Sequence, residues 1–418
     1  MKTSSLIFAA LLGLFTSSTA LADEGVKNDE WSAYVKPLVS MDDNVKLLSD
    51  PNDPQLKQEL YRFMYSTISW GYFALAYADP DYPDFWPVFN QAFNYLAPNP
   101  DDSYYIAPVN DQGVYKISGV RGTVRILDFN LGSGELLTRG TGVLGPTLAN
   151  YRADDLHVNK KDGAFEFILS AERPKGYKGD WRKLEPKTSF VLIRQISYDW
   201  LHEVDGRIGI ERLDKPAIKP RDSAEKIAAN LKQIPVWADN WTKFSFAWLQ
   251  RMREKGIVNK VVSHDITDVG GLSTQYYVEG LFDLADDEAL IYETEVPKQC
   301  RYWNIELTDE MWAAIDWVNR QSTLNGYTAK LDKDGKFRAV VSKQDPGVPN
   351  WLDTGGVRKG EMFGRWNLCS AHPTPKITKV KVADVRNYLP KDTPVVSAEA
   401  RDASIRERRK GAQLRRRW

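Results

Sequence analysis

Asp345, Asp353 and Arg320 are the side chains of this sequence best suited to do chemistry. Two carboxylates flanking a bond can serve as acid and base, and a guanidinium can steady the charge that develops between them. Such a set points to metal-independent hydrolysis or elimination, with Asp353 or Asp345 as acid or base and Arg320 as charge stabiliser. The same region carries polar residues between apolar anchors: Asn319 and Asn325 in "DWVNRQSTLN", and Asn350 in "SKQDPGVPNWLDTGG". Further back, Asp101 and Tyr104 of "DDSYY" and Asp199 and Trp200 of "SYDW" are candidates for holding a ligand.

Other chemistries lack their residues. His157, His202, His264 and His372 show no ligand spacing, so the sequence implies no metal. Calcium on Asp286, Asp287 and Glu288 stays open, but no EF-hand pattern accompanies them. No G-x-S-x-G marks a serine nucleophile. "GTGVLG", Gly140 to Gly145, spells a dinucleotide fingerprint, yet Pro146 follows where a helix would have to open. No cofactor is implied.

The elements that position these residues begin with an N-terminal stretch, "MKTSSLIFAALLGLFTSSTALADEG". One lysine, an apolar run and small residues at Ala20 and Ala22 read as a secretory signal, residues 1–22. The run is too short for a bilayer span, and no later segment is apolar for long enough. A periplasmic or secreted protein is expected. The 56 basic and 56 acidic residues cancel, leaving no global field to attract nucleic acid. Fourteen tryptophans and 19 tyrosines in 418 residues suit generous cores or a stacking cleft. In an oxidising compartment Cys300 and Cys369 read as a disulfide. "CRYWNIEL" opens one strand-like run and "GRWNLC" ends another, so antiparallel pairing brings the two sulfurs together. A catalytic cysteine is the lesser reading.

Residues 23–98 read as helical, with Pro54 just inside a start and Asp79-Pro80 as a stop. Leu56, Leu60, Phe63, Met64 and Ile68 share one face, which needs a partner. Residues 99–220 then alternate as strands. Residues 221–260 read as two helices divided near Pro235, with Asp222 or Ser223 as the first cap. Residues 261–385 form a second strand-rich unit that repeats the first. "VNKKDGAFEFILSAERP" aligns with "AKLDKDGKFRAVVSKQDP" through the Asp-Gly turns, and Phe165, Ser170 and Pro174 match Phe337, Ser342 and Pro346. Trp181 matches Trp351, and the strands ending at Arg194 and Arg365 also correspond. The fold expected is a duplicated antiparallel β-sandwich with a helical cap and a helical connector, mainly β in an α+β chain. Repeated features are assigned to the shared fold, and features of one copy alone are freer to be functional. Residues 386–418 form a basic tail, read first as solvated and second as an arm for an anionic surface or an acidic partner.

"YKGDWRKLEPKTSFVLIRQISYDW", "NPDDSYYIAPVNDQGVYKISG" and the block from "RYWNIELTDEMW" to "NWLDTGG" resemble the bacterial family called domain of unknown function 1214. The resemblance runs from about Asn99 to Trp366. It implies a β-sandwich with helical additions and no settled reaction. The expected function is binding, with or without turnover, of a small sugar-like or ring-shaped molecule in an aromatic-lined cleft between the copies. The alternative is a non-catalytic binding or scaffold protein of the envelope.

Overall fold

The computed structural model describes residues 29–134, 136 and 144–415. The signal stretch and Gly140–Val143 of "GTGVLG" lie outside them, while Leu144 and Gly145 open an antiparallel strand. Helix α1 (Asp29–Val39) leads into α2 (Pro54–Tyr72). Asp53 starts α2 by accepting from the backbone N–H of Gln55 at 2.7 Å and of Leu56 at 3.3 Å, with Pro54 fitted to the first turn. The first unit comprises β1 (Trp86–Val88), β2 (Asp102–Pro108), β3 (Tyr115–Val120), β4 (Ile126–Gly134), β5 (Leu144–Arg152), β6 (Ala164–Ser170), β7 (Asp180–Lys183), β8 (Phe190–Ile196) and β9 (Arg207–Arg212). Strand β1 therefore interrupts the region expected to be wholly helical, because "WPV" adds an edge to β2. Helices α3 (Ala224–Leu231) and α4 (Ile234–Glu254) connect the units. Ser223 caps α3, and Pro235 sits in the first turn of α4.

The second unit comprises β10 (Val262–His264), β11 (Gln275–Asp283), β12 (Glu288–Glu295), β13 (Cys300–Asp309), β14 (Thr323–Asn325), β15 (Lys336–Ser342), β16 (Trp351–Asp353), β17 (Lys359–Cys369) and β18 (Lys376–Lys381). Its sheets run β10-β11-β17-β13-β14 and β16-β15-β12-β18, strand for strand the orders β1-β2-β8-β4-β5 and β7-β6-β3-β9 of the first unit. Within each unit the two sheets close on an apolar core: Ile117, Phe129, Phe167 and Ile193 in the first, Tyr292, Ile305, Phe337 and Met362 in the second. The repeated serine and tryptophan do the same work twice. Trp181 Nε1 donates to Ser170 Oγ at 3.0 Å and Trp351 Nε1 to Ser342 Oγ at 3.1 Å, each pinning a short parallel strand. Cys300 stands opposite Cys369 in the β13–β17 register, and the two form the disulfide.

A local twofold relation joins the halves. Arg125 Nε donates to the carbonyl of Arg301, and Arg301 returns the contact to the carbonyl of Arg125. This reciprocity is that of an isologous interface built within one chain. Helices α2 and α4 cross beside the same relation, where Thr67 and Thr242 bring their hydroxyls to 3.3 Å and Gly71 lies against Ile234 and Trp237. Consequently the outer faces of the two five-stranded sheets are covered. Every residue of β8 is buried, the apolar run Phe190–Ile193 together with Arg194 and Gln195 that follow it.

The described part of the basic tail is largely solvent-exposed, as a solvated tail would be, but it is not free: a few of its arginines are buried against the two units. Residues 398–414 form α5 (Ala398–Leu414), which straps both units. Arg401 grips Asp345 and Gln321 of the second unit, while Arg415 donates to the carbonyls of Pro100 and Gln195 and pairs with Asp205 of the first. Fixed carbonyls and carboxylates of the chain itself replace water around these guanidinium groups.

Candidate functional site

Alternation along the strands decides what faces the junction between the units. On β4, Leu127, Phe129 and Leu131 enter the sandwich core, so Asp128 and Asn130 turn outward. On β8 the outward residues are Phe190, Leu192 and Arg194, and on β2 they include Asp102 and Tyr104. The second unit presents Phe363 and Arg365 of β17, Tyr277 and Glu279 of β11, and Asn304 and Glu306 of β13. Tyr104 stands opposite Arg194 as Tyr277 stands opposite Arg365. The repeat thus delivers two tyrosine–arginine pairs to one place.

They line a cavity of about 90 Å³ between the units. Its apolar wall includes Phe190, Leu192, Phe363 and Trp312. Phe89, Leu96, Ala97 and Trp312 line it with positive φ, between 46° and 61°. Such backbone costs about 1–3 kcal/mol per residue outside glycine and collects where a site is held in shape. Here the Ala97 N–H donates to the Trp312 carbonyl at 2.9 Å, and Arg365 donates to the Ala97 carbonyl at 3.0 Å.

Several donors on this wall have no acceptor among the described residues. The Tyr104 hydroxyl accepts from the Asn99 N–H at 3.3 Å, and the Tyr277 hydroxyl from the Leu272 N–H at 3.4 Å. Both acceptors are spent by a backbone group five residues upstream, which leaves each phenolic proton to give away. Arg365 is matched by Glu306 at 2.7 Å. Arg194, only 9 % exposed, donates to the Gly270 carbonyl at 3.3 Å, and its Nε–H has no partner. A buried guanidinium without a counter-ion is expensive.

Carboxylates stand near but do not bond to it. Asp102 takes one bond from the Gln195 N–H at 2.6 Å, and its other oxygen is unpartnered. Neither oxygen of Asp128 has a partner. Burial pushes Asp102 up to about 7 and Asp128 up to about 6, with the nearby charge of Arg194 opposing the rise in both. Burial likewise pushes Glu306 up to about 8, against the pull of Arg365. Among the described residues no cluster of His, Cys, Asp and Glu is placed to hold a metal ion.

The residues singled out in sequence fall into three groups. Tyr104 lines the interdomain cavity. Asp101, Trp200 and Asn325 meet in a buried knot, where the Asp101 carboxylate accepts from Trp200 Nε1, Asn325 Nδ2 and the Tyr302 hydroxyl, each at 2.8 Å. That knot ties the first unit to the second. The others lie elsewhere. Asp353 pairs with Arg320 at 2.9 Å and holds the Gly355 N–H, and Asp345 pairs with Arg401 at 2.9 Å and holds the Gly347 N–H. Asn350 pins a loop through the N–H and carbonyl of Lys330, and Asp199 caps its own turn and pairs with His202 at 2.7 Å. Asn319 bonds to Asp316 and Arg409. Arg320 and Asn319 also border a hollow of about 650 Å³ against α2, whose rim includes exposed Tyr65.

Arg194 and Arg365 recur between the copies, and recurrence by itself points to the shared fold. Recurrence does mark equivalent positions, but the twofold relation runs through the junction, so equivalent positions converge there. The signal available in sequence was a charged residue closing an otherwise apolar strand, "SFVLIR" and "GEMFGR".

A duplicated β-sandwich with crossed helices and a polar-walled cavity at the seam is the class that this geometry defines. More particularly, residues 283–366 match the family "Protein of unknown function (DUF1214)". That segment holds Glu306, Trp312, Phe363 and Arg365. The crystal structure of an uncharacterized protein from Burkholderia cenocepacia is similar over 85 % of this chain and 97 % of that one, with a TM-score of 0.77 and 27 % identity. A protein from Vibrio parahaemolyticus aligns over 77 % of this chain and 98 % of its own, with a TM-score of 0.42 and 13 % identity. No curated protein matches the sequence.

Proposed function

We propose that this chain binds a small organic acid in the cavity between its two sandwich units. One observation supports the reading: Arg194, Tyr104 and Tyr277 line one cavity, and among the described residues the Arg194 Nε–H has no partner while both hydroxyls accept from a backbone N–H and keep a proton to give. Guanidinium and phenol donors in a water-poor site suit a carboxylate. Phe190, Leu192, Phe363 and Trp312 suit the apolar body attached to it. A sugar is a poorer match, since its hydroxyls need donors and acceptors all round. Asp345 and Asp353 are poor candidates for acid–base work on the bound molecule, since they lie outside the cavity and are held by Arg401 and Arg320. Export is part of the proposal, supported by the N-terminal stretch and the disulfide. Among the described residues no helix is long and apolar enough to cross a membrane. An envelope scaffold acting through a free basic tail has less support, because Arg401, Arg408, Arg409 and Arg415 are engaged by oxygens of the chain itself.

A thermal-shift screen over organic acids, sugars and neutral ring compounds, with mass analysis of every hit, tests the proposal. Acids should raise the melting temperature of the natural chain and leave Arg194→Gln unmoved. A sugar or a neutral ring as the sole hit would contradict it.

A further inference from the structure

The two halves of the cavity are alike in origin and unlike in charge. Arg365 spends its charge on Glu306 at 2.7 Å, whereas the equivalent Arg194 has no ion pair among the described residues. The reason lies in the strands beside them. Position 306 of β13 corresponds to 130 of β4, where the first unit has Asn130 in place of a glutamate. Asn130 spends its amide on Asn150 at 2.6 Å and on Thr147 at 3.2 Å, so it supplies no counter-charge. The first half of the wall therefore lacks the paired carboxylate that the second half sets against its arginine, and the place left open is beside Arg194.

Size narrows the ligand further. The cavity is about 90 Å³. A cavity of roughly 150 Å³ takes benzene, and a water molecule occupies about 30 Å³. By that measure a branched or straight chain of a few carbons fills the cavity, while a benzoate ring would extend beyond it.

Resting on the organic-acid reading above, we infer that the ligand is a short aliphatic monocarboxylate, about three to five carbons long. Its carboxylate lies on Arg194 Nε–H and the hydroxyls of Tyr104 and Tyr277, and its alkyl end lies against Leu192, Phe363 and Trp312. A second carboxylate would lie against that apolar wall without a partner, so dicarboxylates are disfavoured.

Isothermal titration of the full chain at pH 5.5 with propionate, isobutyrate, isovalerate, succinate, benzoate and the neutral isobutyramide tests this. Isobutyrate or isovalerate should bind at least about tenfold more tightly than succinate, benzoate and isobutyramide, the discrimination expected of an unpaired buried group. Arg194→Gln should abolish the heat. Tighter binding of succinate or benzoate that still requires Arg194 would overturn the monocarboxylate inference and leave the organic-acid reading standing. Absence of binding by every acid, or equal binding by a folded Arg194→Gln chain, would overturn both. Should Arg194→Gln fail to fold, isobutyrate against isobutyramide on the natural chain decides: equal affinity overturns both readings, and a preference for the acid supports them.

Discussion

Replacing Arg194 with methionine separates a ligand-binding arginine from a structural one by the sign of the stability change. The side chain is 9 % exposed, has a long bond to the Gly270 carbonyl and leaves Nε without a partner. Substituting an apolar residue for a poorly compensated buried charge is often neutral or stabilising, by up to about 4 kcal/mol. Against this stand the Gly270 hydrogen bond, about 1 kcal/mol, and the Tyr104 ring, whose centroid lies 5.6 Å from the guanidinium. That ring contact contributes about 0.5–1 kcal/mol. The remaining contribution depends on pH. Asp102 and Asp128 have folded values of about 7 and about 6, above the ordinary aspartate value, so the stability they add is present at low pH and is lost as pH rises through those values. At pH 5.5 both are mostly protonated and need little from Arg194. At pH 8.5 both must ionise, and without Arg194 they do so unsupported. Arg194→Met should therefore lie between unchanged and about 2 kcal/mol more stable than the natural chain at pH 5.5, and below it at pH 8.5. Urea unfolding at the two pH values reads this directly. A loss of more than about 3 kcal/mol at pH 5.5, the signature of a broken buried pair, would refute the reasoning.

Affinity for an organic acid should weaken as pH rises from 6 to 8, because ionising Asp128 and then Asp102 places negative charge beside the bound anion; a calorimetric pH series checks it, and flat affinity would count against their proximity. Asp345→Asn and Asp353→Asn should each lower stability by about 1–2 kcal/mol through their lost partners while leaving acid binding unchanged, as unfolding curves and titrations will show. Paired serine substitutions at Cys300 and Cys369, which are 69 positions apart, should cost about 4 kcal/mol by the loop-entropy relation, read as a lowered urea midpoint.

Local signals were legible where local physics decides. Asp53-Pro54 and Ser223 mark helix starts because caps act within one turn, and the Cys300–Cys369 register follows from two recognisable strands. The repeat was visible because Ser170 and Trp181 make a contact that Ser342 and Trp351 must make again. The junction was not legible to the same degree. Tyr104 was found, yet its counterpart Tyr277 was passed over, since nothing local ties two residues so far apart in sequence. Asp345, Asp353 and Arg320 drew attention as unrepeated charges, but unrepeated charges also serve local needs, here a turn and the grip on α5. The docking of the tail is not legible in sequence, because a run of arginines looks free until carbonyls such as those of Pro100, Gln195 and Val348 are placed against two of them.

The central claim is that an anion seats on Arg194 between the two units. A crystal structure of the full chain grown with isobutyrate tests it most directly. The account predicts a carboxylate within hydrogen-bond distance of Arg194 Nε and of the Tyr104 and Tyr277 hydroxyls, with the alkyl group against Phe363 and Trp312. An ordered, unoccupied cavity at saturating isobutyrate, or the acid bound instead in the hollow beside Arg320, would contradict it.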